Sequence, residues 1–459
     1  MPLSLIFILL TVAIDTIGIG LLIPVLPSLL REIGGLTLAE AAIWGGILST
    51  SYAVMQFLCG PLMGALSDRF GRRPILLITL GVLALDYLVM ALATSLFLLL
   101  AARIVAGITA ATQATATAYI ADISEPHEKA ARFGLIGAAF GVGFVLGPIL
   151  GGVLAEFGTR APFYAAAAIS VANFVFGWWV LPETVTDRIR RPFEWRRANP
   201  FGAFAALSKI PGVGPYVLMF FLYQVAFMVY PVIWAYFGEA RFGWSPGMIG
   251  ASLGAFGVSL AIVQGGLIRY ILAWLGERGA VIYGLVFNAF AFLVLAFVES
   301  GTVALVFTPF TALGAVVTPA VQGLMSRAVP DDAQGELQGL VSSAMALALI
   351  VSPMIMAGVF AAFSGPGAAV VLPGAPFLVS MALMGLCLVV FVRSPRTSSA
   401  CIRHFVSVSG GLAPRPRAPI GSGIKGPAHG SGESGGLPRV RATAGVGNAE
   451  LAGPRRGRS

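Results

Sequence analysis

Three ionisable side chains stand inside runs of sequence that are otherwise apolar: Asp15, Asp86 and Arg103. A charge in hydrocarbon costs about 2.5 to 3.5 kcal/mol on the insertion scale, so each calls for a chemical reason. Counted from the ends of their runs, Asp15 and Asp86 lie about twelve residues in, ~18 Å, and Arg103 about six residues, ~9 Å, from the opposite side. All three share a depth just beyond the midplane. There, desolvation disfavours an ionised carboxylate and a nearby cation favours it, which is the setting of a proton site whose occupancy follows conformation. The plainer alternative is a static aspartate–arginine pair that ties helices together. Asp15 and Asp86 are the candidate proton carriers, and Asp15, Gln56, Arg103 and Gln113 the candidate ligand groups. Other uncharged polar residues at depth, Asn173, Gln224, Gln264, Asn288 and Gln322, read mainly as bonds between helices.

Little else in the chain offers reactive chemistry. The histidines are His127 in a loop and His404 and His429 near the C-terminus, and no nucleophile stands beside a base. Cys59, Cys387 and Cys401 have neither metal nor disulfide spacing. No metal site and no catalytic residue is expected, which sets an enzyme aside. Of 459 residues, 57% are hydrophobic and 11% charged, against about 25% charged in an ordinary globular chain. This composition is that of an integral membrane protein. The first apolar run lacks a preceding basic residue and contains Asp15, so it reads as a retained helix and not a cleaved signal.

Runs of about 18 to 25 apolar residues give twelve spans, at 3–27, 43–66, 75–94, 97–118, 133–157, 162–181, 213–237, 246–268, 279–298, 301–325, 338–362 and 374–392. The expected fold is all-α: two pseudo-symmetric six-helix bundles, 1–181 and 213–392, joined by a polar loop at 182–212. That loop holds Arg188, Arg190, Arg191, Arg196, Arg197 and Lys209, and the basic segment 393–459 reads as a disordered, solvated tail. Connections after even-numbered spans carry 14 Lys and Arg residues and those after odd-numbered spans carry 3, which places both termini in the cytoplasm.

Two stretches look built for movement. Gly64-Ala-Leu-Ser-Asp68-Arg69-Phe-Gly71-Arg72-Arg73 is a tight charged hairpin between spans two and three. Its arginines anchor the cytoplasmic side, and Asp68 facing the start of span eleven would latch one half to the other. In span five, Gly143, Gly147, Gly151 and the neighbouring Gly152 clear a helix face, and Pro148 removes a backbone bond. Shifted by 205 residues, Gly60, Gly71 and Arg73 meet Gly265, Gly276 and Arg278, but Asp68 meets Ala273, so the halves echo one another imperfectly.

GALSDRFGRRP resembles the loop signature of the major facilitator superfamily, RIVAG at 103–107 its fourth-helix motif, and GVGFVLGPILGG its drug/proton antiporters. Residues 1 to 392 are similar in detail to the tetracycline exporters: TIGIGLLIPVLP after Asp15, SYAVMQF, Asp86-Tyr87, RIVAGITAATQATATAYIADIS and SRAVPDDAQGELQG. The resemblance implies two bundles around a central cavity and proton-coupled efflux of a small amphipathic drug by alternating access. It implies a bacterial inner-membrane location, with protons and lipid as partners and neither nucleic acid nor an oligomer required. No bound cofactor is expected; Mg²⁺ would enter as part of a tetracycline chelate. The chain departs from those exporters in its second half, where Asn288 replaces an aspartate and Leu260 a histidine. An importer of a small metabolite, or a membrane receptor, are the rival readings.

Overall fold

The computed structural model describes residues 2–186, 190, 193, 199–202, 212–330, 333–365 and 367–394. Most of the expected central loop and nearly all of the expected tail therefore lie outside the described residues. Helices α1 (Leu3–Leu22), α2 (Leu26–Gly34), α3 (Leu38–Phe70), α4 (Arg72–Leu92), α5 (Leu96–Thr109), α6 (Thr112–Ile123), α7 (Lys129–Ala155) and α8 (Ala161–Val180) form the first half. The second comprises α9 (Gly214–Phe227), α10 (Val229–Phe242), α11 (Pro246–Ile262), α12 (Ile268–Phe297), α13 (Gly301–Thr311), α14 (Val317–Arg327), α15 (Gln334–Ser364) and α16 (Ala375–Arg393). No strand occurs among the described residues.

Eleven helical segments are long and apolar enough to cross a membrane, but one of them, Pro246–Phe297, has 52 residues. At ~1.5 Å per residue that is more than twice a bilayer's ~30 Å core. Gly276 resolves the excess, because its φ of 66° breaks the helix there and turns one segment into two crossings. Gly71, 205 residues earlier, makes the corresponding turn with φ of 113°. The positive φ at both positions is open to glycine at little cost. The arginines two residues on also match: Arg73 donates to Trp178 O at 2.7 Å, and Arg278 donates to Phe391 O at 3.4 Å. Each guanidinium thus sits at the C-terminal end of the last helix of its half, where a cation is favoured.

The apolar runs miss a regular feature of the helices. Crossings one, four, seven and ten are interrupted, at Ile23–Val25, Ala110–Ala111, Met228 and Ala312–Val316. Proline explains three of these, since its ring clashes with the carbonyl four residues back. Pro27, Pro231 and Pro319 stand four residues after Ile23, Phe227 and Ala315. The fourth crossing has no proline at its break; there the Thr109 hydroxyl donates to Ala106 O at 3.2 Å and competes with the backbone ladder. Helices α3, α7 and α15 also run past the spans read from hydropathy, because their polar ends remain helical.

The halves meet through α3 with α15 and α10, and α7 with α11. All of these contacts lie toward the ends remote from the Gly64–Arg73 hairpin. A methyl on Gly46 would stand 3.0 Å from Pro353 O and Ala357, and one on Gly152 would stand 2.7 Å from Pro246 O. Thr50 donates to Ile350 O at 3.0 Å, and Arg31 pairs with Glu239. Toward the hairpin, Gly60 and Gly64 on α3 and Gly134, Gly137 and Gly141 on α7 have open space where a side chain would begin. The bundles are thus closed at one end and parted at the other.

The glycines of span five divide between two tasks. Gly143, Gly147 and Gly151 receive the backbone of α1, with Ala13 O, Ile17 O and Leu21 O lying 2.5 to 2.7 Å from a built methyl position. That face is an interface within the first bundle. Only Gly152, with the Pro148 carbonyl packed at Gly250, reaches across to α11. Gly152→Val should therefore hold the closed end apart, and a cysteine placed near Gly247 should react several-fold faster with a membrane-impermeant thiol reagent. Gly143→Val should instead loosen the first bundle and lower its unfolding temperature.

Candidate functional site

Asp15 lies on α1, twelve residues after its first residue, ~18 Å along the axis. It is half-buried, and among the described residues no side chain hydrogen-bonds or ion-pairs with it. The helices packed on α1 bring no charge to its level. Gly143 marks that level on α7, whose charged residues Lys129 and Arg132 are at least ~16 Å away along the helix. Helix α8 contributes Asn173, whose amide and the Thr11 hydroxyl bond at 3.2 Å one turn below Asp15. On α6, Tyr119 lies near Ser4, also below. The titratable neighbours come from elsewhere: Tyr52 on α3 and Tyr87 on α4 are within electrostatic range of Asp15, and the Tyr87 hydroxyl packs on Gly18.

Asp86 and Arg103 face one another. Arg103 Nε donates to Asp86 Oδ1 at 3.2 Å and Nη2 pairs with Oδ2, a two-pronged carboxylate–guanidinium contact. The Asp86 side chain is 2% exposed and that of Arg103 13%. Paired charges in a low-dielectric interior escape most of the desolvation penalty that either would meet alone. The structure thus joins two of the sequence-predicted residues as the helix-tying pair and leaves the third, Asp15, with no counter-ion. The face of the Arg103 guanidinium is covered by the Tyr52 ring, 5.4 Å from Cζ to centroid. Gly107, one turn along α5, meets the Tyr52 backbone and lets the two helices come this close.

Gln56 is half-buried one turn beyond Tyr52, and Gln113 is exposed in the first turn of α6, just past the break at Ala110–Ala111. Tyr52 and Tyr87 were not among the residues picked out from sequence. The i, i+4 spacing of Tyr52 and Gln56 was the available signal.

The hairpin arginines and Asp68 form a network inside the first bundle. Asp68 pairs with Arg72 at 2.6 Å, Arg72 Nε reaches Asp122 at 3.2 Å, and Glu183 accepts from the backbone N–H groups of Arg72 and Arg73 at 2.9 and 3.2 Å. Arg69 lies over the Phe70 ring. The expected contact of Asp68 with the start of the eleventh span is replaced here by the pair with Arg72. In the second half, Asn288 is fully buried and Leu260 packs beside Phe256 and Val316. No cluster of metal-ligating side chains occurs among the described residues.

Two bundles of six crossings, interrupted helices in every third crossing and a lone carboxylate at mid-depth define a multi-pass membrane transporter. The chain belongs to the Major Facilitator Superfamily, whose family model matches residues 8–353. It is similar to the tetracycline resistance protein, class C, of Escherichia coli, 42% identical over 385 residues that span 84% of this chain and 95% of that protein. The class G protein of Vibrio anguillarum is 37% identical over 366 residues, 79% of this chain and 91% of its own. Among solved structures, the human organic anion transporter MFSD10 superposes with a TM-score of 0.63 at 25% identity, covering 84% of this chain and 98% of that one.

Removing one member of the Asp86–Arg103 pair leaves a buried charge uncompensated, at a cost of about 3 to 5 kcal/mol. Asp86→Asn or Arg103→Gln alone should therefore lower the unfolding temperature in detergent, and the double variant should recover most of the loss.

Proposed function

We propose that this protein exports tetracycline, or a related amphipathic drug, across the bacterial inner membrane in exchange for protons. The observation that carries the reading is Asp15, a carboxylate at mid-depth with no counter-ion in contact, in a chain whose similar proteins bear tetracycline resistance in their names. An uncompensated charge in hydrocarbon must be balanced, and two occupants do so in turn: a proton, or a cationic group of the drug. A tetracycline–Mg²⁺ chelate offers such a charge, with Mg²⁺ travelling as cargo.

With both termini in the cytoplasm, the parted end is the cytoplasmic one and the state seen is inward-facing. External protons load Asp15 in the outward-facing state, the bundles rock, and proton release to the cytoplasm frees Asp15 to receive drug alongside Gln56 and Gln113. Asp86 keeps Arg103 occupied in this state. The polar groups gather in the first bundle, and the half-buried Phe227, Leu260 and Leu313 offer the second an apolar wall for the drug's ring face. No step calls for a catalytic group or a resident cofactor, and one chain contains every residue invoked.

The test is drug accumulation in an efflux-deficient bacterium loaded with tetracycline and Mg²⁺. Wild-type protein should keep accumulation low until the proton gradient is collapsed, whereas Asp15→Asn, present in the membrane at equal amount, should raise it to the level of cells lacking the protein. Full export by Asp15→Asn would overturn the proton assignment. The Arg31–Glu239 pair spans the closed end, so Arg31→Glu should slow export several-fold by disfavouring closure. The charge-swapped double variant Arg31→Glu/Glu239→Arg should restore it.

A further inference from the structure

One polar atom enclosed at the closed end has no partner. Tyr236, on α10 of the second bundle, is 4% exposed, and its hydroxyl is buried with no hydrogen bond to any described residue. That hydroxyl crosses the interface into a notch on α3 of the first bundle. A methyl built on Gly45 would overlap the oxygen, whereas Tyr236 Cζ would stand 3.2 Å away and Leu30 Cδ1 3.7 Å. Phe360 of α15 packs on the ring, with centroids 6.1 Å apart. By contrast, the Thr50 hydroxyl and Arg31 find partners across the same end, in Ile350 O at 3.0 Å and in Glu239. A hydroxyl taken from water without a replacement bond is destabilising, while the ring that carries it gains by burial. A phenylalanine ring would fill this place without the penalty.

We propose that the Tyr236 hydroxyl is a counterweight built into the outer gate: its desolvation on closure opposes the packing that holds the bundles together, and keeps the inward-facing state from becoming a trap. When the bundles part at this end, α3 withdraws from α10, the notch at Gly45 opens to outside water, and the hydroxyl regains the hydrogen bonds it lacks in the closed state. The penalty thus falls on one state only, and only a differential effect of that kind shifts a two-state balance. Its consequence for export rests on the proposed alternating-access exchange, whereas the penalty itself rests on the contact of Tyr236 with Gly45.

The experiment needs no drug and so stands apart from the transport test. Nitroxide labels are attached to Phe157→Cys in the first bundle and Val371→Cys in the second, at exposed sites beyond the closed end, with the three native cysteines replaced by serine. Pulsed electron spin resonance on the full chain then resolves a short distance for closed and a long one for parted molecules. Arg31→Ala is included throughout so that both states are populated. Tyr236→Phe should raise the ratio of closed to parted molecules at least about fivefold. Gly45→Ala should lower it at least about tenfold where Tyr236 is kept, because the methyl meets the oxygen, and by less than about threefold in Tyr236→Phe, where the nearest ring carbon needs to give only slightly. A ratio unchanged or lowered by Tyr236→Phe would overturn the proposal, as would an equal loss from Gly45→Ala in both backgrounds. If the ratios behave as expected while tetracycline is not exported, the counterweight stands and the choice of substrate fails.

Discussion

The cost of an unbalanced charge in hydrocarbon governs this molecule. Three ionisable groups sit at one depth in the first bundle, and an odd number cannot pair completely. Asp86 and Arg103 satisfy one another through a buried two-pronged contact, which removes both from the list of groups needing outside help. Asp15 is left over. Under the proposed exchange, a leftover carboxylate at mid-depth is a site that demands an occupant, with proton and cationic drug as alternative answers to the same electrostatic demand. Exchange follows from the arithmetic of charge: two occupants that each neutralise one carboxylate exclude one another.

Exchange becomes transport only if the occupied and empty states differ in which end is closed. Close backbone packing supplies the rigid bodies for that. Along α7, Gly143, Gly147 and Gly151 bring the α1 backbone into contact without intervening side chains, so the helix bearing Asp15 is fastened to its bundle over about two turns. The inter-bundle contacts are of another kind: Gly152 against Pro246, Gly46 against Pro353, the Thr50 hydroxyl on Ile350 O and the exposed Arg31–Glu239 pair. These lie in the half of the helices remote from the hairpin, where α3 with α15 and α7 with α11 pack extensively. Fastening within each bundle, with contact between bundles restricted to one half of their length, is what a rocking motion about a fixed site requires.

Much of this was legible in the sequence, for identifiable reasons. Hydropathy marks each crossing because only an apolar helix survives in lipid, and the repeat at 205 residues pointed to the turn at Gly276 that divides the overlong segment. The depth of Asp15, Asp86 and Arg103 could be counted along helices. Which of the two aspartates would take the arginine could not, since that depends on the rotation and approach of α4 and α5, set by tertiary packing at Gly107 and Tyr52. The break at Ala110–Ala111 was invisible for a related reason: it has no proline, and its cause is a threonine hydroxyl competing for a backbone carbonyl. Asp68 pairs with Arg72, four residues on, in this state with the hairpin ends of the bundles parted, a local contact that the sequence reading of a latch to the eleventh span did not include.

Asn288 shows how the second bundle differs in kind from the first. Its side-chain amide donates to Gly284 O at 2.7 Å and to Gly314 O at 2.8 Å. Gly314 lies in the tightened stretch Ala312–Val316 that interrupts the tenth crossing, where backbone carbonyls released from the helix need donors. Both acceptors are carbonyl oxygens, so the position suits a group with two N–H bonds; an ionised carboxylate would offer these carbonyls only repulsion. An amide here clasps the interrupted helix permanently, with no proton to gain or lose. With Leu260 also unable to titrate, the second bundle contributes an apolar wall and a fixed backbone. Under the proposed exchange, the charge that responds to the proton gradient is then concentrated on one side of the molecular interface, in the bundle that carries Asp15.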